Sequence, residues 1–229
     1  MCLLTKFLIK LFTKSLWGLG QRPKVFYFTN IGDDMTEIIF ATKNKGKIAE
    51  INEIMKDTKY KVICMEDAGI TIDVIEDGLT YEENAMKKAV EIMQASGKPV
   101  LSDDSGIEID FLDKKPGIYS STFLGGNAVY KERNQKILEM LKDAKGQQRT
   151  ARYVSVIALA SPNGDKITTR ATLEGHISHE IKGTNGFAYD SIFYLKEFNK
   201  TVAELSIEEK NKISHRSKAL YQMKDLIKN

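Results

Sequence analysis

Two long strand-like runs, 152–160 and 166–177, flank Ser161-Pro162-Asn163-Gly164, and this pair restricts the fold more than any other stretch of the chain. Proline presets φ and glycine accepts a left-handed turn, so such a tetrapeptide between alternating runs reads as a reversal joining antiparallel neighbours. A ribbon of this length needs further strands or a helical cover, because two strands alone bury too little. The preceding residues supply them as alternating units. Residues 37–41 and 61–65 read as strands, with Ile48, Ile51 and Met55 at helical spacing between them. Thr80-Tyr81-Glu82-Glu83 is a capping-box pattern that opens a helix to about Ser96, where Gly97 stops it. Residues 100–102 and 107–112 read as strands on either side of Asp103-Asp104-Ser105-Gly106, and 128–141 as a helix capped by Asn127. A short strand at 192–195, a second capping box at Ser206-Ile207-Glu208-Glu209 and a last helix after Ser214 complete the chain. Strand–helix units joined to a long hairpin predict an α/β protein with a mixed sheet flanked by helices.

Charge separates the chain into two parts. Residues 1–34 hold Lys6, Lys10, Lys14, Arg22 and Lys24 against Asp33 and Asp34, a surplus equal to the net charge of +3 of the whole chain. The remainder is neutral, which argues against duplex nucleic acid as a partner, since that requires a lysine and arginine surplus. The first 34 residues are therefore expected to be an extension, disordered or not native, with the domain occupying 35–229. Its apolar, basic residues 1–24 could lie on a membrane surface, but no apolar run of ~20 residues is present to span one. Two cysteines, Cys2 and Cys64, suggest neither a disulfide framework nor a zinc site and fit a reducing, cytoplasmic compartment. With only three histidines, any metal should be hard and oxygen-bound.

Four stretches could carry chemistry. Thr42-Lys43-Asn44-Lys45-Gly46-Lys47, between a strand and a helix, could hold phosphates on backbone N–H groups and lysines, although such a turn is also an ordinary solvated cap. Asp103 and Asp104 beside an apolar strand are costly without a compensating cation; the alternative is a tight Asp-Ser-Gly turn. Glu76 and Asp77 before Gly78 could add a metal oxygen or be another turn. Phe187, Ala188, Tyr189 and Asp190, after Gly183-Thr184-Asn185-Gly186, offer two aromatics for stacking on a base, unless they are core residues entering the next strand. Lys210, Ser214, His215 and Arg216 add polar and basic groups near the last helix.

Taken together, ATKNKGK (41–47), EDGLTYEENA (76–85), SDDSGIEID (102–110), PGIYSSTF (116–123), GFAYDSIF (186–193), AELSIEEKNKISHR (203–216) and SKAL (217–220) closely resemble the inosine triphosphate pyrophosphatase family, the non-standard purine NTP pyrophosphatases. The resemblance implies a twisted mixed sheet, two lobes around a nucleotide-binding cleft and a homodimer. It implies Mg²⁺ as cofactor and hydrolysis of ITP, dITP and XTP to the monophosphate and pyrophosphate. The turn from Thr42 to Lys47 would grip the triphosphate, with Asn44 and Lys47 foremost, and Ser105 would contact substrate. Glu76 matches a metal-associated acid, Asp104 the proton acceptor and metal-linked carboxylate, and Asp103 a supporting acid. Phe187, Ala188, Tyr189, Asp190, Lys210, His215 and Arg216 match the substrate pocket. Ala188 stands where the family usually has glycine, Ser191 where it has proline, Ser217 where glycine is common and Lys43 where glycine or serine is frequent. Alanine does not freely adopt positive φ, so the path at 188 bears directly on the base site. Two other readings are a pyrophosphatase for other modified nucleotides and a non-catalytic nucleotide-binding protein.

Overall fold

The computed structural model describes residues 36–42, 45–125 and 128–227, without the side chains of residues 45–47, 49 and 50. The extension, Lys43, Asn44 and Asn127 lie outside the described residues, as do the side chains of Lys45 and Lys47; Gly46 is described through its backbone alone.

Strands β1 (Thr36–Phe40), β2 (Tyr60–Cys64), β3 (Val100–Ile109), β4 (Pro116–Gly117), β5 (Thr150–Ala160), β6 (Lys166–Ile177), β7 (Phe193–Leu195) and β8 (Lys200–Thr201) form one sheet. Its order is β2-β1-β3-β5-β6-β7-β8, with β4 beside β3. The pairs β1–β2 and β1–β3 are parallel, and every pair from β3–β5 onward is antiparallel. The sheet is therefore mixed, as the alternation predicts. The hairpin forms as expected, β5 and β6 pairing continuously from Ala160↔Lys166 to Thr150↔His176. β5 is buried along nearly its whole length, which explains an apolar run without clean alternation.

Among the described residues five helices cover the sheet: α1 (Lys45–Met55), α2 (Tyr81–Ser96), α3 (Tyr130–Met140), α4 (Ile207–Ile213) and α5 (His215–Ile227). Local chemistry sets their ends. At α2 the Thr80 hydroxyl accepts from the Glu83 N–H, while Glu83 Oε2 accepts from Leu79 N–H rather than closing back on Thr80. Gly97 ends that helix at φ 67°. The box at α4 is complete, Ser206 and Glu209 satisfying each other's N–H groups.

Strand alternation divides the interior. Ile39, Val100, Val154, Val156 and Ala158 face α2, with Ala85, Ala89 and Ile92. Leu101, Ile157 and Leu159 face the other way, onto α1 and α5. Further along that second face, Ile107, Ile109 and Tyr153 pack with α3, β7 and Val202 as a separate cluster. Asp103, Ser105 and Ser155 fall between these two clusters, which therefore meet along a polar seam.

Asp103-Asp104-Ser105-Gly106 is no turn between strands; it is the middle of the ten-residue β3, paired with β5 throughout. Only residues 110–112 leave the strand, as a 3-10 turn. The helix expected from 128 begins at Tyr130, with Val129 as its N-cap.

Candidate active site

The opening lies along one edge of β3. β1 pairs with that edge only as far as Leu101, and β4 only from Ile107. Among the described residues no strand pairs with Ser102–Gly106 there, so backbone and side chains from both faces meet in the gap. A cleft of about 420 Å³ occupies it. Such a crevice beyond the carboxyl end of a parallel strand is a common ligand position in α/β sheets. Thr42, at the end of β1, is buried against it. Glu76, Asp103, Asp104, Ser105, Phe187, Ala188, Tyr189, Asp190, Lys210, His215 and Arg216 line the same cleft. Of the sequence-predicted site residues whose side chains are described, Asp77 alone stays outside the cleft, exposed and paired with Lys87 at 2.5 Å; the others are brought to one place.

Adjacent strand residues point to opposite faces, and this separates the two aspartates. Asp103 faces α5, where its Oδ2 accepts from Arg216 Nε at 3.2 Å, both groups being buried. The expected supporting acid for a metal is committed to this arginine. Asp104 faces α2. Its Oδ1 accepts from Ser105 N–H at 2.8 Å, while its buried Oδ2 has no hydrogen-bond partner among the described residues. Burial, and then the negative charge of Glu76, push the Asp104 carboxyl up to about 6, against the pull of Lys88, Asn84 and the Ser105 N–H.

Lys88 on α2 was not legible as a site residue. Its ammonium donates to the Asp103 carbonyl at 2.9 Å and pairs with Glu76 Oε1 at 2.8 Å. Asn84 and Lys88, four residues apart, border the buried stripe Tyr81, Ala85, Ala89 and Ile92; polar residues at that spacing beside an apolar stripe are the signal that could have revealed them. Among the described residues no three acid, histidine or cysteine side chains converge as a ready-made metal cage. A cation bound by Asp104 and Glu76 would complete its shell with phosphate oxygens and water, the usual arrangement for Mg²⁺. The unpartnered Asp104 Oδ2 fits that requirement.

The other end of the cleft is closely cross-bonded. Asp190 accepts from Tyr153 OH at 3.1 Å, from Phe187 N–H at 2.8 Å and from Lys210 Nζ at 2.6 Å. Lys210 also lies 4.5 Å over the Phe187 ring. Phe187 is 58% exposed and offers an open face, whereas Tyr189 is buried, its hydroxyl donating to Ser120 O. Of the two expected stacking aromatics, only Phe187 presents a surface. Tyr153 supports this end from below, stacked between Phe193 at 4.2 Å and His215 at 4.9 Å. An aromatic within an apolar strand reads as core, so nothing in the sequence marks it. Burial, with Arg216 and Lys210 nearby, holds His215 neutral.

Close approach requires glycine at several positions, Gly106 and Gly186 among them. A Cβ on Gly106 would lie 2.3 Å from Gly117 O, so this glycine admits β4 rather than a ligand. A Cβ on Gly186 would lie 2.2 Å from Asp190 Oδ2.

Comparison with known proteins places this arrangement. The Ham1 family profile matches residues 38–226. The chain belongs to the Ham1 family. The dITP/XTP pyrophosphatase of Halalkalibacterium halodurans is 46% identical over 189 residues, covering 82% of this chain and 97% of that protein. That of Clostridium perfringens is 42% identical over 200 residues, covering 85% and 98%. Among solved structures, a HAM1 protein from Coxiella burnetii matches with a TM-score of 0.79 and 40% identity, over 84% of this chain and 98% of that one. The Staphylococcus aureus Ham1 protein gives 0.77 and 37%, over 84% and 98%. The Ham1 sheet, with its helices and cleft, is therefore the frame on which these side chains are arranged. No helix among the described residues is long and apolar enough to cross a membrane.

Proposed function

We propose that this chain hydrolyses deaminated purine nucleoside triphosphates, ITP, dITP and XTP, to the nucleoside monophosphate and pyrophosphate. The observation that carries the reading is Asp104: a buried carboxylate at the gap in the sheet, raised to about 6 and with one oxygen unpartnered. Family membership and relatives described as dITP/XTP pyrophosphatases support the substrate class. Asp104 Oδ2 is the acceptor for a proton from the attacking water, a contribution of ~10²–10⁴-fold. Glu76 and Asp104 would hold Mg²⁺, which when bound neutralises charge on the phosphate oxygens. Lys88 adds fixed positive charge beside them. Thr42, which lines the cleft, and the residues from there to Lys47 receive the phosphates.

At the other end Phe187 stacks on the purine. His215 and Arg216 meet the 6-keto oxygen of hypoxanthine or xanthine, where adenine presents an amino donor. Leaving buried donors unpaired can reject an analogue by ~10⁴-fold. Asp103 holds Arg216 in place for this task. A homodimer and a cytoplasmic site of action belong to the same proposal; light scattering in solution tests the first. The deciding experiment is a substrate panel with Mg²⁺, scored by pyrophosphate release. Rapid cleavage of ITP and XTP beside slow cleavage of ATP and GTP is expected. Preference for ATP would overturn the reading, and binding without turnover would favour a silent nucleotide binder.

A further inference from the structure

Behind the base end of the cleft, one buried side chain holds a strained turn. Ala188 has φ 56°, in the left-handed region that a residue with a Cβ adopts only at a cost. Its neighbours close the turn: Asp190 N–H donates to Phe187 O, and Phe187 N–H donates to Asp190 Oδ2. From the α3 side, Asn134 donates its Nδ2 to Ala188 O at 3.1 Å and to Ser191 Oγ at 3.0 Å. Asn134 is buried, and its Oδ1 has no partner among the described residues. A leucine beside Ile137 would fill this place without stranding an oxygen, so packing alone does not account for the amide. Its nitrogen fixes the one peptide plane in the turn that the backbone resists. Residues 188 and 191 are also two positions where the sequence departs from the family pattern.

We infer that Asn134 is a positioning residue for purine binding, pinning the Ala188 carbonyl so that the strained turn presents Phe187 and Asp190 to the base. Asn134 does not line the cleft and bonds to Ala188 and Ser191 rather than to Asp104, Glu76 or Lys88, so its influence falls on substrate affinity rather than on the chemical step. The inference rests on the pyrophosphatase reading above.

The test is steady-state kinetics with ITP and Mg²⁺ on the full chain. Asn134→Leu and Asn134→Ala, each alone and combined with Ala188→Gly, are compared with wild type by kinetics and thermal melts. Losing the two buried hydrogen bonds should raise KM about tenfold while kcat stays within about twofold. Ala188→Gly should recover most of that KM, because glycine holds the left-handed turn unaided. An unmoved KM, a fall in kcat at constant KM, or failure of Ala188→Gly to restore KM overturns the inference. So does the failure of both Asn134 variants to fold, which would make the residue structural. Wild-type protein inert on ITP, dITP and XTP would overturn the functional reading itself, and is seen before any variant is measured.

Discussion

The two ends of the cleft are built in opposite ways. At the base end the charged groups are already answered: Asp190 takes three donors, Arg216 holds Asp103, and Tyr153 carries both Asp190 and His215, although the neutral His215 Nδ1 and Asn134 Oδ1 have no partner among the described residues. At the carboxylate end the groups are left in tension. Asp104 keeps an unpartnered oxygen, Glu76 raises its affinity for a proton, and Lys88 is the positive charge between them. The base end is preorganised, so little ordering is lost when a purine enters. The carboxylate end is incomplete by itself and is completed by the charge that arrives with the substrate. Recognition is stored as rigidity and reactivity as dissatisfaction.

Asp104→Asn tests this contrast most severely. Turnover of ITP should fall by about 10²–10⁴-fold while the fold becomes more stable. The sign follows from the folded-state carboxyl, which binds its proton more tightly than the unfolded one, 3.8 rising to about 6. The ionised form therefore costs stability above about pH 6, progressively less down to about pH 4, and nothing below. The amide removes that cost, a gain of up to about 3 kcal/mol at pH 7.5. Urea titrations without divalent cations should show the gain at pH 7.5 and none at pH 4. No gain at pH 7.5 would mean that Asp104 is already compensated.

Lys88→Met should lower kcat about 10²-fold by removing fixed charge beside the phosphates. It should also move the acid limb of the kcat profile to higher pH, since Lys88 is what pulls the Asp104 carboxyl down. A limb that stays put or moves lower would separate the two residues. At the base end the expected effects are smaller and fall on KM. Asp190→Asn weakens the hold on Lys210 and should raise KM for ITP about tenfold, with a lower melting temperature. Tyr153→Phe keeps the stacks on Phe193 and His215 but loses one hydrogen bond to Asp190, and should raise KM about two- to fivefold. A large loss of kcat from either base-end variant would erase the distinction between the two ends.

The same contrast explains what the sequence reveals. The hairpin, the Thr80 and Ser206 caps and the stop at Gly97 are local, and each is recognisable from adjacent residues. Strand β3 is misread because two acids, a serine and a glycine in succession are the composition of a turn. They persist inside a strand because the edge beside them is open between β1 and β4. Lys88 and Tyr153 escape notice for another reason. Lys88 meets Asp103 only when α2 packs on the sheet, and Tyr153 meets Asp190 across thirty-seven positions of sequence. The departure at Ala188 is visible in the sequence, but its positive φ and its hold by Asn134 are not.

The unbroken pairing of β3 with β5 has a consequence for how such a gene can change. Because Asp103 and Asp104 occupy opposite faces, a one-residue slip within β3 would turn each to the other face: an insertion before them would put the Asp103 carboxylate on the α2 face, and a deletion would put that of Asp104 on the α5 face beside Arg216. Composition, and much of the burial, would survive such an event, yet the chemistry would not. The reversal at 161–165, at the far end of the hairpin, has exposed residues and should accept changes in length with little effect. Along this lineage, length variation should therefore collect at the hairpin tip and be absent from residues 100–109.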